Sequence, residues 1–172
     1  CRYPIQKGFQ RVSCGRCTAC RLNLQLDWTV RLFNEFESSH CAVFLTLTYD
    51  DEHLPVNHSV SKREVQLFKK RFKKKCGKYV RLYSVGEYGS KGYRPHYHFI
   101  VYGVSLDSSL FIDRCYDRKS KGWLCRCYGW DERGLAHIGN VTWESCRYCA
   151  HYVLKKQGGK KGKEFYKQIG VE

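Results

Sequence analysis

Two histidines one residue apart, His96 and His98, sit inside the apolar run RPHYHFIVYG at 94–103. The run predicts a β-strand: aromatic and β-branched residues, opened by Pro95 and closed by Gly103. Side chains on a strand alternate faces, so both imidazoles project from the same one. Nine residues before His96, Glu87 ends a second predicted strand, KYVRLYSVGEY. A turn centred near residues 91 and 92 sets Glu87 opposite His96, with Cβ atoms about 5 Å apart. Two nitrogen ligands and one oxygen ligand with open positions suit Mn²⁺, Mg²⁺ or a catalytic Zn²⁺, not a closed structural site. A His-x-His pair arises readily by chance, so the rest of the chain has to give it meaning.

A nucleophile is available in ESCRYCAHYVLKKQ, a predicted helix. Tyr148, Tyr152 and Lys155 recur at i, i+4 and i+7 and share one face. Cys146, Ala150 and Val153 occupy the opposite face and suit the core. A phenol has a pKa near 10 and needs help to attack. Lys155, one turn after Tyr152, supplies positive charge that favours phenolate, and a metal polarises a phosphate. The combined chemistry is transesterification of a phosphodiester by tyrosine.

A third set is made of sulfur. CGRCTAC places Cys14, Cys17 and Cys20 at two-residue gaps, and Cys1 offers a fourth thiolate: a structural zinc pattern. Of the later cysteines, Cys146 and Cys149 fall on the core side of their helix and read as buried thiols, and Cys115, Cys125 and Cys127 are weaker ligand candidates. Eleven Cys is an odd number, and no signal peptide precedes them, which argues against a secreted disulfide framework and for a reducing cytoplasm.

These groups need elements to hold them. Leu22, Leu26, Val30 and Phe33 lie at helical spacing over residues 20–38 and predict an amphipathic helix. CAVFLTLTY at 41–49 predicts a buried strand. SKREVQLFKKRFKKK opens with a capping box, Ser61 and Glu64, and carries a core stripe of Val65, Phe68 and Phe72. Residues 104–134 read as an insertion, LAHIGNVTW as a further strand, and GGKKGK as a basic tail. Strand, helix, three strands and helix in that order predict an α+β fold with a mainly antiparallel sheet, helices on one face and the other face open to a ligand.

The 172 residues suit one domain, and 42% hydrophobic content excludes a disordered chain. The apolar runs are too short to span a bilayer. Lys and Arg number 31 against 16 Asp and Glu, a net charge of +15, which points to a polyanion and to nucleic acid above a membrane. Candidate phosphate contacts are Lys69, Lys70, Arg71, Lys73 and Lys74 of the second helix, with Arg94 and Lys156. A charged helix face can be merely solvated; one this uniformly positive suits phosphates.

PHYH resembles the His-hydrophobic-His motif of the HUH endonucleases. FLTLTYDDEHLP is similar to their first motif, VGEYGSKGYRPHYH has the Glu-to-His spacing of rolling-circle initiators, and YCAHYVLKK is similar to their two-tyrosine motif. Together with VSCGRCTACRLNLQLDWTVRL, the set resembles the replication initiators of gokushovirus-type microviruses, small single-stranded DNA phages. The resemblance implies a ferredoxin-like palm with an antiparallel sheet of about five strands and flanking helices. It implies metal-dependent nicking of single-stranded DNA at the origin, with Mn or Mg on His96, His98 and Glu87, and Tyr148 and Tyr152 as nucleophiles. A 5′-phosphotyrosine and a priming 3′-hydroxyl result, and the second tyrosine serves termination. Expected partners are origin DNA and the host helicase and polymerase, in the cytoplasm of a bacterial host. The expected organisation is a Cys-rich segment with its helix at 1–39, the endonuclease domain at 40–157, and a tail at 158–172 beyond which the family implies more chain. A two-tyrosine transposase or relaxase would share the chemistry. A non-catalytic zinc-containing nucleic-acid-binding module would share the charge but would need neither the Glu87–His96–His98 set nor the tyrosine stripe.

Overall fold

The computed structural model describes residues 1–77, 79–89 and 92–155, the last three by backbone alone. Among them the chain runs β1 (Ile5–Lys7), β2 (Gln10–Val12), α1 (Thr18–Glu37), β3 (Ala42–Thr48), α2 (Lys62–Cys76), β4 (Arg81–Tyr88), β5 (Pro95–Tyr102), β6 (Phe111–Asp117), β7 (Gly122–Cys127), β8 (Ala136–Asn140) and α3 (Trp143–Lys155). The fold is α+β and palm-like: a six-stranded sheet in the order β4-β5-β3-β8-β7-β6, with every neighbouring pair antiparallel. Six strands stand where about five were expected. The extra ones come from the stretch read as an insertion, whose β6–β7 hairpin joins the sheet through β7 and β8.

Period-2 alternation sorts the core into two layers. Val43, Leu45 and Leu47 of β3 and Tyr97, Phe99 and Val101 of β5 meet Phe68 and Phe72 of α2. Ile100 and Tyr102 of β5 point the other way, to Leu32 of α1 and Cys146, Cys149 and Ala150 of α3. Helices therefore cover both faces, and the expectation of one face left bare is corrected. The reason is in β3 and β5 themselves, which are apolar on both faces and need a layer on each.

The seam of α1 is also corrected. Leu22, Leu26 and Val30 are exposed, whereas Cys20, Gln25, Thr29 and Leu32 are buried. The large rings Trp28, Phe33 and Phe36 pack against the second core and set the rotation of the helix. The polar residues this turns inward are satisfied: Thr29 Oγ1 donates to the Gln25 carbonyl at 2.8 Å, and Gln25 Nε2 donates to the Arg147 carbonyl at 3.3 Å. Leu32 shares its core with β5 and α3, so the helix of the 1–39 segment is built into the same layer as the strand that carries the histidines.

The stripe of α2 is as expected, with Phe68 and Phe72 fully buried and Val65 packed beside them. Half of its capping box forms: Ser61 Oγ accepts from the Glu64 N–H at 3.2 Å, while the Glu64 carboxylate turns to Arg133 at 2.9 Å. At the start of α3, Thr142 and Ser145 cap each other, each backbone N–H donating to the other's hydroxyl. That fixes where the helix begins and hence which of its faces meets the sheet. No helix of the described residues is long and apolar enough to cross a membrane.

Candidate active site

The hairpin of β4 and β5 pairs Glu87 directly with His96, as the turn position predicted, and Val85 with His98. Both imidazoles project from the face that α3 covers. Glu87 Oε2 lies 2.9 Å from His98 Nε2 and 3.3 Å from His96 Nε2. The three ligand atoms lie within 4.8 Å of one another, and the set is half-buried to buried. Each outer nitrogen has its own support. His96 Nδ1 donates to the Arg94 carbonyl at 3.2 Å, which leaves Nε2 with the lone pair a metal needs. His98 Nδ1 meets the Thr46 hydroxyl at 2.9 Å, a group that can turn to serve either tautomer.

Burial, then the neighbouring His96, bring the pKa of His98 down to about 4, against the pull of Glu87. The ring is therefore neutral at pH 7, and its short contact with Glu87 is a hydrogen bond rather than an ion pair. Burial pushes the Glu87 carboxyl up, but hydrogen bonds from Tyr148, Tyr152 and His98 outweigh it and leave it below its ordinary value. A neutral imidazole and an ionised carboxylate are the protonation states that metal ligation requires.

α3 lays its tyrosines on this cluster. Tyr148 Oη donates to Glu87 Oε2 at 2.6 Å and stands 3.4 Å from His98 Nε2. Tyr152 also hydrogen-bonds Glu87 and stacks near His98 at 6.1 Å between ring centroids. The two phenol rings touch edge to face at 5.0 Å. Phe44 stacks flat on His98 at 5.6 Å and meets Tyr148 edge-on, so one apolar ring seats both a ligand and a nucleophile. Burial and the Glu87 carboxylate push the Tyr148 phenol up to about 12 and Tyr152 higher still. At pH 7 a phenol of pKa about 12 is ionised in about one molecule in 10⁵. Neither tyrosine attacks anything from these surroundings unless positive charge is added beside Glu87.

The core side of α3 is as expected: Cys146, Cys149 and Ala150 are fully buried. Burial pushes the Cys146 and Cys149 thiols up to about 11 and about 12, which keeps them inert. The side chains of Val153 and Lys155, and all of Lys156 and the 158–172 tail, lie outside the described residues.

Of the basic candidates, α2 and its lysines lie across the sheet from the histidines, against the opposite core layer. Lys70, Lys73 and Lys74 are exposed. Arg71 instead clamps the Gly129 carbonyl at 2.9 and 3.1 Å, and burial lowers the pKa of the half-buried Lys69. Arg94 borders the site but bonds Asp51 at 2.7 Å and the Tyr49 carbonyl at 3.0 Å.

The N-terminal cysteines come together. The Sγ atoms of Cys1, Cys14, Cys17 and Cys20 all lie within 4.8 Å of one another. Cys14–Cys20 and Cys1–Cys17 are each 3.9 Å apart. A tetrahedron with metal–sulfur bonds of about 2.3 Å has edges of about 3.8 Å, so the arrangement fits. The N–H groups of Cys17 and Arg16 point at Cys14 Sγ, at 3.4 and 3.5 Å. The later cysteines form no further metal-type cluster among the described residues, and Cys125 and Cys127 are buried.

Thr46, Phe44 and the Arg94 carbonyl were missed in the sequence. Alternation in FLTLTY could have placed Phe44 and Thr46 on one face; that this face meets His98 is a matter of β3–β5 pairing. Thr46 pairs with His98 on one side and His137 on the other, so His137 extends the same polar row.

A model of the replication-associated protein family of the ORF2 type matches residues 42–158, the span from β3 to the end of α3. The chain belongs to that family. It is 32% identical to the replication-associated protein ORF2 of Spiroplasma virus 4 over 92% of this chain and 53% of that protein. It is 31% identical to the replication-associated protein VP4 of Bdellovibrio phage phiMH2K over 83% of this chain and 48% of the relative. With the replication-associated protein ORF4 of Chlamydia phage 1 it shares 34% identity over 83% of this chain and 38% of the other. The chain thus spans about half the length, or less, of these relatives. No solved structure matches it. The resemblance to microvirus replication initiators, read from the motifs, is the one these relatives support.

Proposed function

We propose that the chain is the nicking and joining unit of a rolling-circle replication initiator, an HUH endonuclease acting on single-stranded origin DNA inside an infected host cell. The observation that carries the reading is the meeting of four groups on one carboxylate: His96, His98, Tyr148 and Tyr152 all contact Glu87. A half-buried carboxylate shared by two imidazoles and two phenols has no structural need for both phenols. Glu87, His96 and His98 would hold a divalent ion, Mn or Mg, which supplies Lewis acidity to a phosphate oxygen and positive charge beside the phenols.

Glu87 orients Tyr148 through the 2.6 Å hydrogen bond. The phenol oxygen attacks phosphorus as the bond from phosphorus to O3′ breaks. The electron pair leaves with O3′, which takes up a proton as the phenol loses one. A phosphodiester is exchanged for a phosphodiester, so the reverse attack by a 3′-hydroxyl needs no other energy source. Tyr152, one turn along the same helix, is placed for a second attack while Tyr148 remains linked. The cysteine cluster would hold a structural zinc.

The test is a denaturing gel after incubation with single-stranded DNA carrying the cognate origin and Mn²⁺, followed by mass spectrometry of the nucleotide-bearing peptide. Tyr148→Phe and Tyr152→Phe should each keep some adduct at unequal rates, and the double variant none. An adduct on another residue, or none with any origin sequence, refutes the reading.

A further inference from the structure

The first 26 residues carry a surface that the catalytic reading leaves unused. β1 and β2 pair Lys7 with Gln10 across the two-residue turn Gly8–Phe9. Such a turn needs positive φ at its first position, and Gly8 has φ 58°. The turn holds Phe9 at the tip, where it is fully exposed at 107% of its reference area. Tyr3 is 64% exposed, with the Arg2 guanidinium 5.7 Å from its ring centre. A hairpin this short buries nothing of its own and has no folding use for these rings. The Cys1–Cys14–Cys17–Cys20 cluster ties both its ends to the start of α1.

The charge here is one-sided. Arg2, Lys7, Arg11, Arg16 and Arg21 fall within residues 1–26, which contain no Asp or Glu. A divalent ion on four thiolates carries a net −2, so the segment still keeps about +3. Arg2, Lys7, Arg11 and Arg16 are all exposed.

The surface also lies at the catalytic end of the helix pair. α1 and α3 run antiparallel, since Phe33 meets Trp143 at 5.4 Å and Gln25 reaches Arg147 at 3.3 Å. Cys20 is five residues before Gln25 and Tyr152 five after Arg147, so both lie about 7.5 Å further in the same direction. The hairpin therefore projects beside the end of α3 that carries the second tyrosine.

We propose that this hairpin is a clamp for single-stranded DNA, in which Phe9 and Tyr3 stack on bases and Arg2, Lys7 and Arg11 contact the backbone. Interleaved rings and cations, with no acidic residue among them, match a strand with exposed bases and phosphates better than a protein or lipid surface. The clamp rests on the zinc reading for its rigidity and on nothing in the cleavage chemistry.

Fluorescence anisotropy with labelled oligothymidine tests it, in the Tyr148→Phe/Tyr152→Phe background where cleavage is silent. Success or failure here is thus separate from that of the nicking assay. Phe9→Ala should weaken binding about tenfold, the scale of one lost stack, and Phe9→Trp should retain it. Arg11→Ala should flatten the salt dependence by about 0.7 in log Kd per log salt. Phe9 touches no core, so these variants keep their fold and zinc content. Unchanged affinity in Phe9→Ala, or equal weakening in Phe9→Trp, overturns the proposal. So does a tip whose substitution alters self-association and leaves DNA binding alone.

Discussion

Replacing Thr46 by Val isolates one atom of the metal site. The Thr46 hydroxyl lies 2.9 Å from His98 Nδ1. Valine keeps the shape and removes the oxygen. His98 is only 6% exposed, so water has little room to replace it. An unpaired buried nitrogen costs about 1–3 kcal/mol. Loss of the partner that orients a metal-bound imidazole typically costs about 10- to 100-fold in metal affinity, the same energy read another way. Thr46→Val should therefore weaken Mn²⁺ binding by about that factor, and adduct formation at limiting Mn²⁺ in proportion. At saturating Mn²⁺ much of the activity should return. Mn²⁺ titration followed by electron paramagnetic resonance measures the affinity directly. Thr48→Val is the control: Thr48 pairs with His96 across the ladder, but its hydroxyl donates to the Leu135 carbonyl at 3.0 Å. It should stay within about twofold of the parent, as expected for a group that touches no ligand. Wild-type Mn²⁺ affinity in Thr46→Val, or equal losses in both variants, would refute the argument that this hydroxyl sets the ring.

Two further outcomes follow from the same chemistry. In metal-free protein, the folded-state pKa of His98 lies at about 4, below the ordinary 6.5, so the unfolded chain binds more protons between those values. Stability is then fully present above about 6.5 and falls as the pH drops toward 4, by about 3 kcal/mol in all; urea melts across this range should show the slope, and His98→Gln should lack it. Metal analysis of protein purified without chelator should find about one zinc per chain, lost in Cys14→Ser, since a four-thiolate site missing one ligand no longer closes; protein free of zinc would contradict the cluster.

The sequence by itself determined the reactive groups and their local order. Period 2 in β5 put His96 and His98 on one face, and a turn near residue 91 was enough to bring Glu87 opposite His96. Period 3.6 in α3 joined Tyr148 to Tyr152 and set Cys146 and Ala150 against the core. C-x-x-C spacing gathered Cys14, Cys17 and Cys20, and Cys1 joins them. These relations span a turn, a hairpin or a short loop, where chain geometry leaves few choices. Contacts between distant segments were decided by tertiary structure. Thr46 became the partner of His98 because β3 pairs with β5, and α2 went to the other face of the sheet because both faces of β3 are apolar. The seam of α1 was misread for the same reason. Leu22, Leu26 and Val30 form as good a stripe as any, but Trp28, Phe33 and Phe36 have more surface to bury and turn the helix toward the sheet. Periodicity measures how well a face could be buried; only the packing partners, brought together from across the chain, decide which face is.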